Sequence, residues 1–156
     1  MSDLPYRPNV GAVLFNAEGR VLVARRADLP GAEAWQLPQG GLDEGENPAE
    51  AVLRELKEEI GTDRAEILAE HPEWLHYDLP AHLVGKALRG KYRGQTQKWF
   101  ALRFLGSDAE IRLDQDPHPE FDAWRWARLE ELPELTVEFR RDIYRALVKE
   151  FARFAG

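Results

Sequence analysis

Three glutamates, Glu55, Glu58 and Glu59, have the types and spacing to do chemistry together. On a helix, at about 100° per residue, they fall within an arc of roughly 100°. Three carboxylates so placed repel one another, and an exposed helix relieves such crowding with bases at four-residue spacing, as Arg54 before Glu58 does in part. Taken alone, EXXEE is an ordinary solvated acidic face. The glycine-rich stretch beginning at Gly40 and Gly41 shifts the reading. Carboxylates beside a tight turn and a spare backbone carbonyl form an oxygen-rich cage for a hard divalent cation, with magnesium the best fit.

A helix must position these side chains, and its ends are marked. Asn47 suits the N-cap and Pro48 the first helical position, while Glu50, three residues after the cap, can reach back to free backbone donors. Gly61 supplies the stop. Between them Ala49, Val52, Leu53, Leu56 and Ile60 repeat at three- and four-residue intervals, forming an apolar stripe that half-buries the helix. Around it, residues 9–15 and 20–25 read as a hairpin turning at 16–19. Residues 35–39 read as a short extended segment, and 66–79 as extended chain broken by Pro72 and Pro80. Gln97 to Leu105 is a strand with strong β-propensity, and Trp124 and Trp126 alternate as in another. A helical turn is expected near Pro133. Phe139, Ile143, Leu147, Phe151 and Phe154 then mark a closing amphipathic helix over 137–154. Strands before, between and after two principal helices make a mixed α/β domain.

With 156 residues, 44% of them hydrophobic, the chain suits one domain, 1–156. The absence of cysteine excludes disulfides, thiolate metal sites and a cysteine nucleophile. The N-terminus has no apolar signal region and no run approaches the roughly 18 apolar residues of a membrane span, so a cytoplasmic protein with no membrane partner is expected. A net charge of −7 argues against broad adhesion to nucleic acid or anionic lipid. Yet Lys86 to Lys98 holds five bases and no acid. It is either a solvated hairpin tip or a basic rim over an anionic substrate. Ser2 and Ser107 lack a nucleophile-elbow context, and the four histidines are scattered without ligand spacing.

The full pattern is Gly40, five residues, Glu46, seven residues, then Arg54, Glu55, Leu56, Lys57, Glu58, Glu59, Ile60 and Gly61. It resembles the signature of the Nudix hydrolases over residues 40–61. Thr62 departs from it, standing where the family usually has an aliphatic residue. The resemblance implies the Nudix fold, a mixed β-sheet sandwiched between α-helices. It implies that Glu55, Glu58 and Glu59 hold magnesium or manganese with help from the carbonyl near Gly40, and that Glu46 and Arg54 brace the loop against the helix.

Further segments, YRPNVG, ARR, WQLPQGG, WLHYDLP, GQTQKWF, PEFDAWRW and VEFRRDIY, cover nearly the whole chain and resemble one branch. That branch is the bacterial RNA 5′ pyrophosphohydrolases, close to the dinucleoside tetraphosphate hydrolases; the main irregularity is an insertion-like LPGAEA before Trp35. The resemblance implies that Glu120 is a fourth magnesium ligand or orients the attacking water. Arg7, Arg25, Arg26 and Lys98, with Gln95 nearby, are candidates for phosphate oxygens, Arg26 ahead of Arg25, arginine binding them bidentately. For base stacking the resemblance implies Phe139 with Arg26 or Arg140, as in the RNA-directed enzymes, and Tyr77, as in the dinucleotide branch; helix core is the competing reading of Phe139. The expected activity converts 5′-triphosphorylated or diphosphorylated RNA ends to monophosphates and also cleaves dinucleoside oligophosphates. The alternatives are a hydrolase of free nucleotides and a non-hydrolytic nucleotide sensor, and a protein activator is left open.

Overall fold

Alternation along two long strands builds the centre of the molecule. In the computed structural model, which describes residues 4–28, 34–114 and 119–156, the strands are β1 (Tyr6–Phe15), β2 (Val21–Arg26), β3 (Trp35–Gln36), β4 (Gln39–Gly41), β5 (Ala65–Glu70), β6 (Leu75–Asp78), β7 (Gly94–Phe104) and β8 (Phe121–Ala127). The helices are α1 (Pro48–Ile60), α2 (Leu132–Leu135) and α3 (Arg141–Phe151). Most of the expected insertion before Trp35, residues 29–33, lies outside the described residues, as does His118. The sheet runs β3-β2-β1-β7-β5, with β4 also paired to β1, β6 to β7 and β8 to β2. Its axis is the parallel pair β1/β7, in register from Tyr6 opposite Gly94 to Phe15 opposite Arg103. The other pairs are antiparallel, so the sheet is mixed.

Successive side chains of a strand point to opposite faces, and β1 sorts accordingly. Val10, Ala12 and Leu14 join Phe100 and Leu102 under Val52, Leu56 and Ile60 of α1. Val13 and Phe15 join Trp99 and Ala101 under Ile143, Tyr144, Leu147 and Phe151 of α3. Two apolar layers thus lie one on each side of the sheet. Gly11 has no room for a side chain, since a Cβ there would stand 2.3 Å from the Trp99 ring.

The α1 boundaries follow the local signals. Asn47 Oδ1 accepts from the backbone N–H of Ala49 at 2.9 Å and of Glu50 at 3.4 Å, and Gly61 ends the helix at φ 81°. The cap rests on Asn47, and exposed Glu50 makes no return bond among the described residues. At Thr62 the hydroxyl accepts from the Arg64 N–H at 3.1 Å, so a buried turn uses the polar atom. The hairpin of 9–15 with 20–25 closes only at its turn, where Phe15 stands opposite Val21. Beyond that β1 bonds to β7 and β4, and β2 to β8. Among the described residues no helix is long and apolar enough to cross a membrane.

Candidate active site

The missing side chain of Gly40 lets α1 present a buried carboxylate to the loop. A Cβ on Gly40 would stand 1.9 Å from Glu55 Oε2 and 2.5 Å from Glu55 Oε1, so the whole carboxylate occupies the space a larger residue would fill. Glu59, one turn on, accepts from the Gln39 backbone N–H at 3.2 Å. Arg54 ties loop to helix: its Nε and Nη2 donate to the two Glu46 oxygens, both at 2.8 Å, and Nη2 also donates to the Gly41 carbonyl at 3.0 Å. Its Nη1 donates to Glu55 at 2.9 Å and to Glu58 at 3.3 Å. The hydrogen-bonded Arg54 guanidinium holds the Glu46 carboxyl down to about 2.

A fourth carboxylate arrives from the start of β8. Between Arg25 and Arg26 the β2/β8 register shifts, an irregularity of the kind that re-aims a side chain. The carbonyl of Glu120 accepts from the Ala27 N–H at 2.9 Å, and its carboxylate accepts from Arg26 Nη1 at 3.1 Å. Arg26 is also gripped by Asp28, at 2.9 and 2.8 Å. Glu55, Glu58, Glu59 and Glu120 together line a cavity of about 230 Å³. An adjoining cavity of about 340 Å³ shares Glu55, Glu59 and Glu120 and adds Gly40, Arg7, Arg26, Gln95 and Arg140. A larger recess, about 550 Å³, lies around Ile111, Leu113 and Phe121 and has no signature carboxylate in its lining. Charge, not size, marks the site.

The carboxylates strain against one another. Burial and then the Glu58 charge raise the Glu55 carboxyl, with Arg54 opposing. Burial, then the charges of Glu120 and Glu55, raise Glu59 well above the ordinary carboxylate range. A cation among these oxygens reverses the sign of that local field. The donors are hard oxygens, which suits magnesium or manganese. Among the described residues no three acidic or histidine side chains already converge as a metal site. Glu58 and Glu120 are 57% and 48% exposed, whereas Glu55 and Glu59 are held by Arg54 and the Gln39 N–H. The hard-oxygen chemistry of this donor set fits a divalent cation.

Tyr77, Lys98 and Phe139 stand outside both cavity linings. Lys98 is buried on β7, where its Nζ pairs with Glu70 at 3.1 Å. Tyr77 is buried with its hydroxyl accepting from Gln95 Nε2 at 2.6 Å, and its ring is 5.4 Å from that of Phe139. The Arg140 guanidinium lies 5.4 Å from the Phe139 ring centre. Its Nη1 donates to Gln36 Oε1 at 2.9 Å, while its buried Nε–H has no partner. Phe139 thus packs against the core and also carries a guanidinium, in a 3-10 turn ahead of α3.

Sequence reasoning missed the amide network beneath the larger cavity. Asn9 Nδ2 donates to Gln95 Oε1 at 2.9 Å, and Gln97 Nε2 donates to Asn9 Oδ1 and Gln39 Oε1, both at 3.0 Å. Trp99 Nε1 donates to Gln97 Oε1 at 3.2 Å. The signal was present: Asn9, Gln95 and Gln97 occupy inward positions of strands otherwise filled by apolar residues, and buried polar groups need partners.

Known proteins resemble the chain in sequence or in fold. The pattern of the family described as NUDIX domain matches residues 5–147. The chain is 64% identical to the RNA pyrophosphohydrolase of Gluconacetobacter diazotrophicus, covering 99% of this chain and 96% of that protein. It is 60% identical to the RNA pyrophosphohydrolase of Acidiphilium cryptum, covering 97% and 93%. Among solved structures, the E. coli dihydroneopterin triphosphate pyrophosphohydrolase superposes with a TM-score of 0.67 at 23% identity, over 94% of this chain and 99% of that one. That last likeness is one of fold.

Proposed function

Because the chain belongs to the NUDIX family, we propose that it is a magnesium-dependent pyrophosphohydrolase of 5′-triphosphorylated or diphosphorylated RNA ends, leaving a 5′-monophosphate. The observation that carries the reading is the four-carboxylate cavity opening into one bordered by Arg7, Arg26 and Arg140. It is supported by near-full-length identity to relatives named RNA pyrophosphohydrolase.

Glu55, Glu58 and Glu59, with Glu120 and the carbonyl near Gly40, would hold magnesium, manganese serving in its place. Bound there, the ion supplies charge neutralisation for the polyphosphate, polarises phosphorus and lowers the pKa of water. The rest falls to the chain itself. Arg7 would face phosphate oxygens with a planar fork that suits the bidentate grip such oxygens accept, and Arg26 would join it by exchanging its bonds to Asp28 for phosphate. Buried Glu55 and partly buried Glu59, hydrogen-bonded to Arg54 and the Gln39 N–H, keep the donor positions fixed before substrate arrives, so less ordering is needed at the moment of reaction. Water attacks one phosphorus of the α–β anhydride in line: its oxygen bonds to that phosphorus as the bond to the bridging oxygen breaks and its proton is lost to solvent, so pyrophosphate leaves a triphosphate end, or phosphate a diphosphate end, and the α-phosphate stays on the ribose as a monophosphate. No covalent protein intermediate is required.

The test is a substrate panel at equal magnesium: triphosphorylated RNA, free nucleoside triphosphates and diadenosine tetraphosphate, with released pyrophosphate and phosphate identified. Preference for the RNA is expected. Equal or better turnover of free nucleotides refutes the assignment.

A further inference from the structure

Of the five bases between Lys86 and Lys98, two are occupied inside the fold. Lys98 pairs with Glu70. Arg93 pairs with Asp78 at 3.2 Å and lies 4.9 Å from the Tyr6 ring centre. Arg89 and Lys91 are exposed, and among the described residues neither forms an ion pair. With Tyr92, Leu88, Arg7 and Asp43 they line a separate cavity of about 350 Å³. Leu88 and Arg7 also line the carboxylate-bearing cavity, so the two adjoin along those residues.

This lip is built to hold its shape. Leu83, Val84, Ala87 and Leu88 pack against the core beneath. Leu88 and Arg89 adopt φ of 53° and 62°, a left-handed conformation that residues other than glycine rarely hold. Gly90 follows at φ 70°, so near Gly85 that a Cβ would stand 2.7 Å from its carbonyl oxygen. The chain doubles back, and Arg89, Lys91 and Tyr92 border one cavity. The Tyr92 ring is half-buried and makes no ring or cation contact among the described residues. Asp43, the carboxylate in that lining, is drawn toward Arg54 at 3.9 Å.

We propose that this lip is a second subsite, which takes RNA beyond its second nucleotide: Arg89 and Lys91 bind a phosphodiester and Tyr92 stacks on a base. The inference rests on the RNA-end activity proposed above. Cations that track a backbone, beside an aromatic ring that accepts any base face, are the two components of single-strand binding. A cavity of about 350 Å³ is also within the range of nucleotide-sized sites. Arg7, on the boundary, leads the chain from one cavity to the other. The enzyme would therefore favour longer RNA without reading its sequence.

The experiment compares kcat/KM on a triphosphorylated dinucleotide and a triphosphorylated octanucleotide. Wild type is expected to prefer the octanucleotide. Arg89→Ala with Lys91→Ala, and separately Tyr92→Leu, should lower that preference about 5- to 100-fold, and Tyr92→Phe should restore it. Removing each cation should also flatten the dependence of log KM on log salt for the octanucleotide by about 0.7. Variants that slow both RNAs equally, or neither, overturn the subsite and leave the RNA-end activity standing. A wild-type protein that cleaves nucleotides but neither RNA overturns that activity, and the subsite with it.

Discussion

Replacing Gly40 with alanine isolates the contact between loop and helix. Ordinary contact begins at 3.4 Å, so a Cβ 1.9 Å from Glu55 Oε2 forces a retreat of about 1.5 Å. The displaced atoms are the end of a side chain, which can swing, and the backbone need not break. Stability should therefore change by under about 1 kcal/mol, the range of a surface substitution. Activity should not escape so lightly, because misplacing a reacting group by about 1 Å costs on the order of 100-fold in rate, or about 2.7 kcal/mol of barrier. The assay is kcat for pyrophosphate release across a magnesium titration, beside a thermal melt. Gly45→Ala is the control: at φ 78° with nothing within 4 Å, it should cost about 1–2 kcal/mol of stability through backbone strain and little rate. Gly40→Ala turning over within threefold of wild type at every magnesium concentration would refute the argument that this gap positions Glu55.

Glu59→Gln keeps shape and hydrogen-bonding capacity but removes a charge, so turnover should fall by at least about 100-fold while circular dichroism stays native; robust activity would remove the metal assignment. Gln97→Met strands Asn9 Oδ1, Gln39 Oε1 and Trp99 Nε1, and at roughly 1 kcal/mol or more per buried group the melting temperature should drop by about 6–12 °C. The pH effect at Glu46 has a definite sign. Its folded carboxyl is depressed to about 2 by Arg54, from an ordinary 4.5. Its stabilisation is therefore present above about pH 4.5 and lost as pH falls toward 2. Melts across that window should show a smaller acid loss in Glu46→Gln than in wild type.

The mixed α/β architecture and α1 were legible because their signals are local: cap, stop and apolar stripe all lie within one stretch of chain. Strand partners were not. Alternation in β1 tells which residues share a face, but it does not tell that β7, some eighty positions on, pairs along the whole strand while β2 meets it only at the turn. Segment matching gathered most of the expected site residues, and both cavities draw on them. It also nominated Lys98, which the register of β7 turns toward Glu70, and Tyr77, whose hydroxyl is taken by Gln95. Sequence proximity could not foresee either, since both depend on which long-range neighbour arrives. The basic stretch divides for the same reason: Arg93 and Lys98 meet acids brought by β6 and β5, while Lys86, Arg89 and Lys91 stay exposed.

The arginines explain how a protein of net charge −7 keeps Glu55, Glu58 and Glu120 together before any counter-ion arrives. Arg54 spans Glu46, Glu55 and Glu58, and Arg26 spans Asp28 and Glu120. Each guanidinium has five donors in a plane, so it can serve a structural carboxylate and a site carboxylate at once. A lysine would supply the charge without that geometry. Arg54→Lys should therefore release Glu58 and loosen Glu55 while leaving the formal charge unchanged. The expected signature is a higher magnesium concentration at half-maximal rate, with the saturated rate falling less. If Arg54→Lys instead bound magnesium as wild type does, charge alone would account for the cluster and the planar fork would have no part in it.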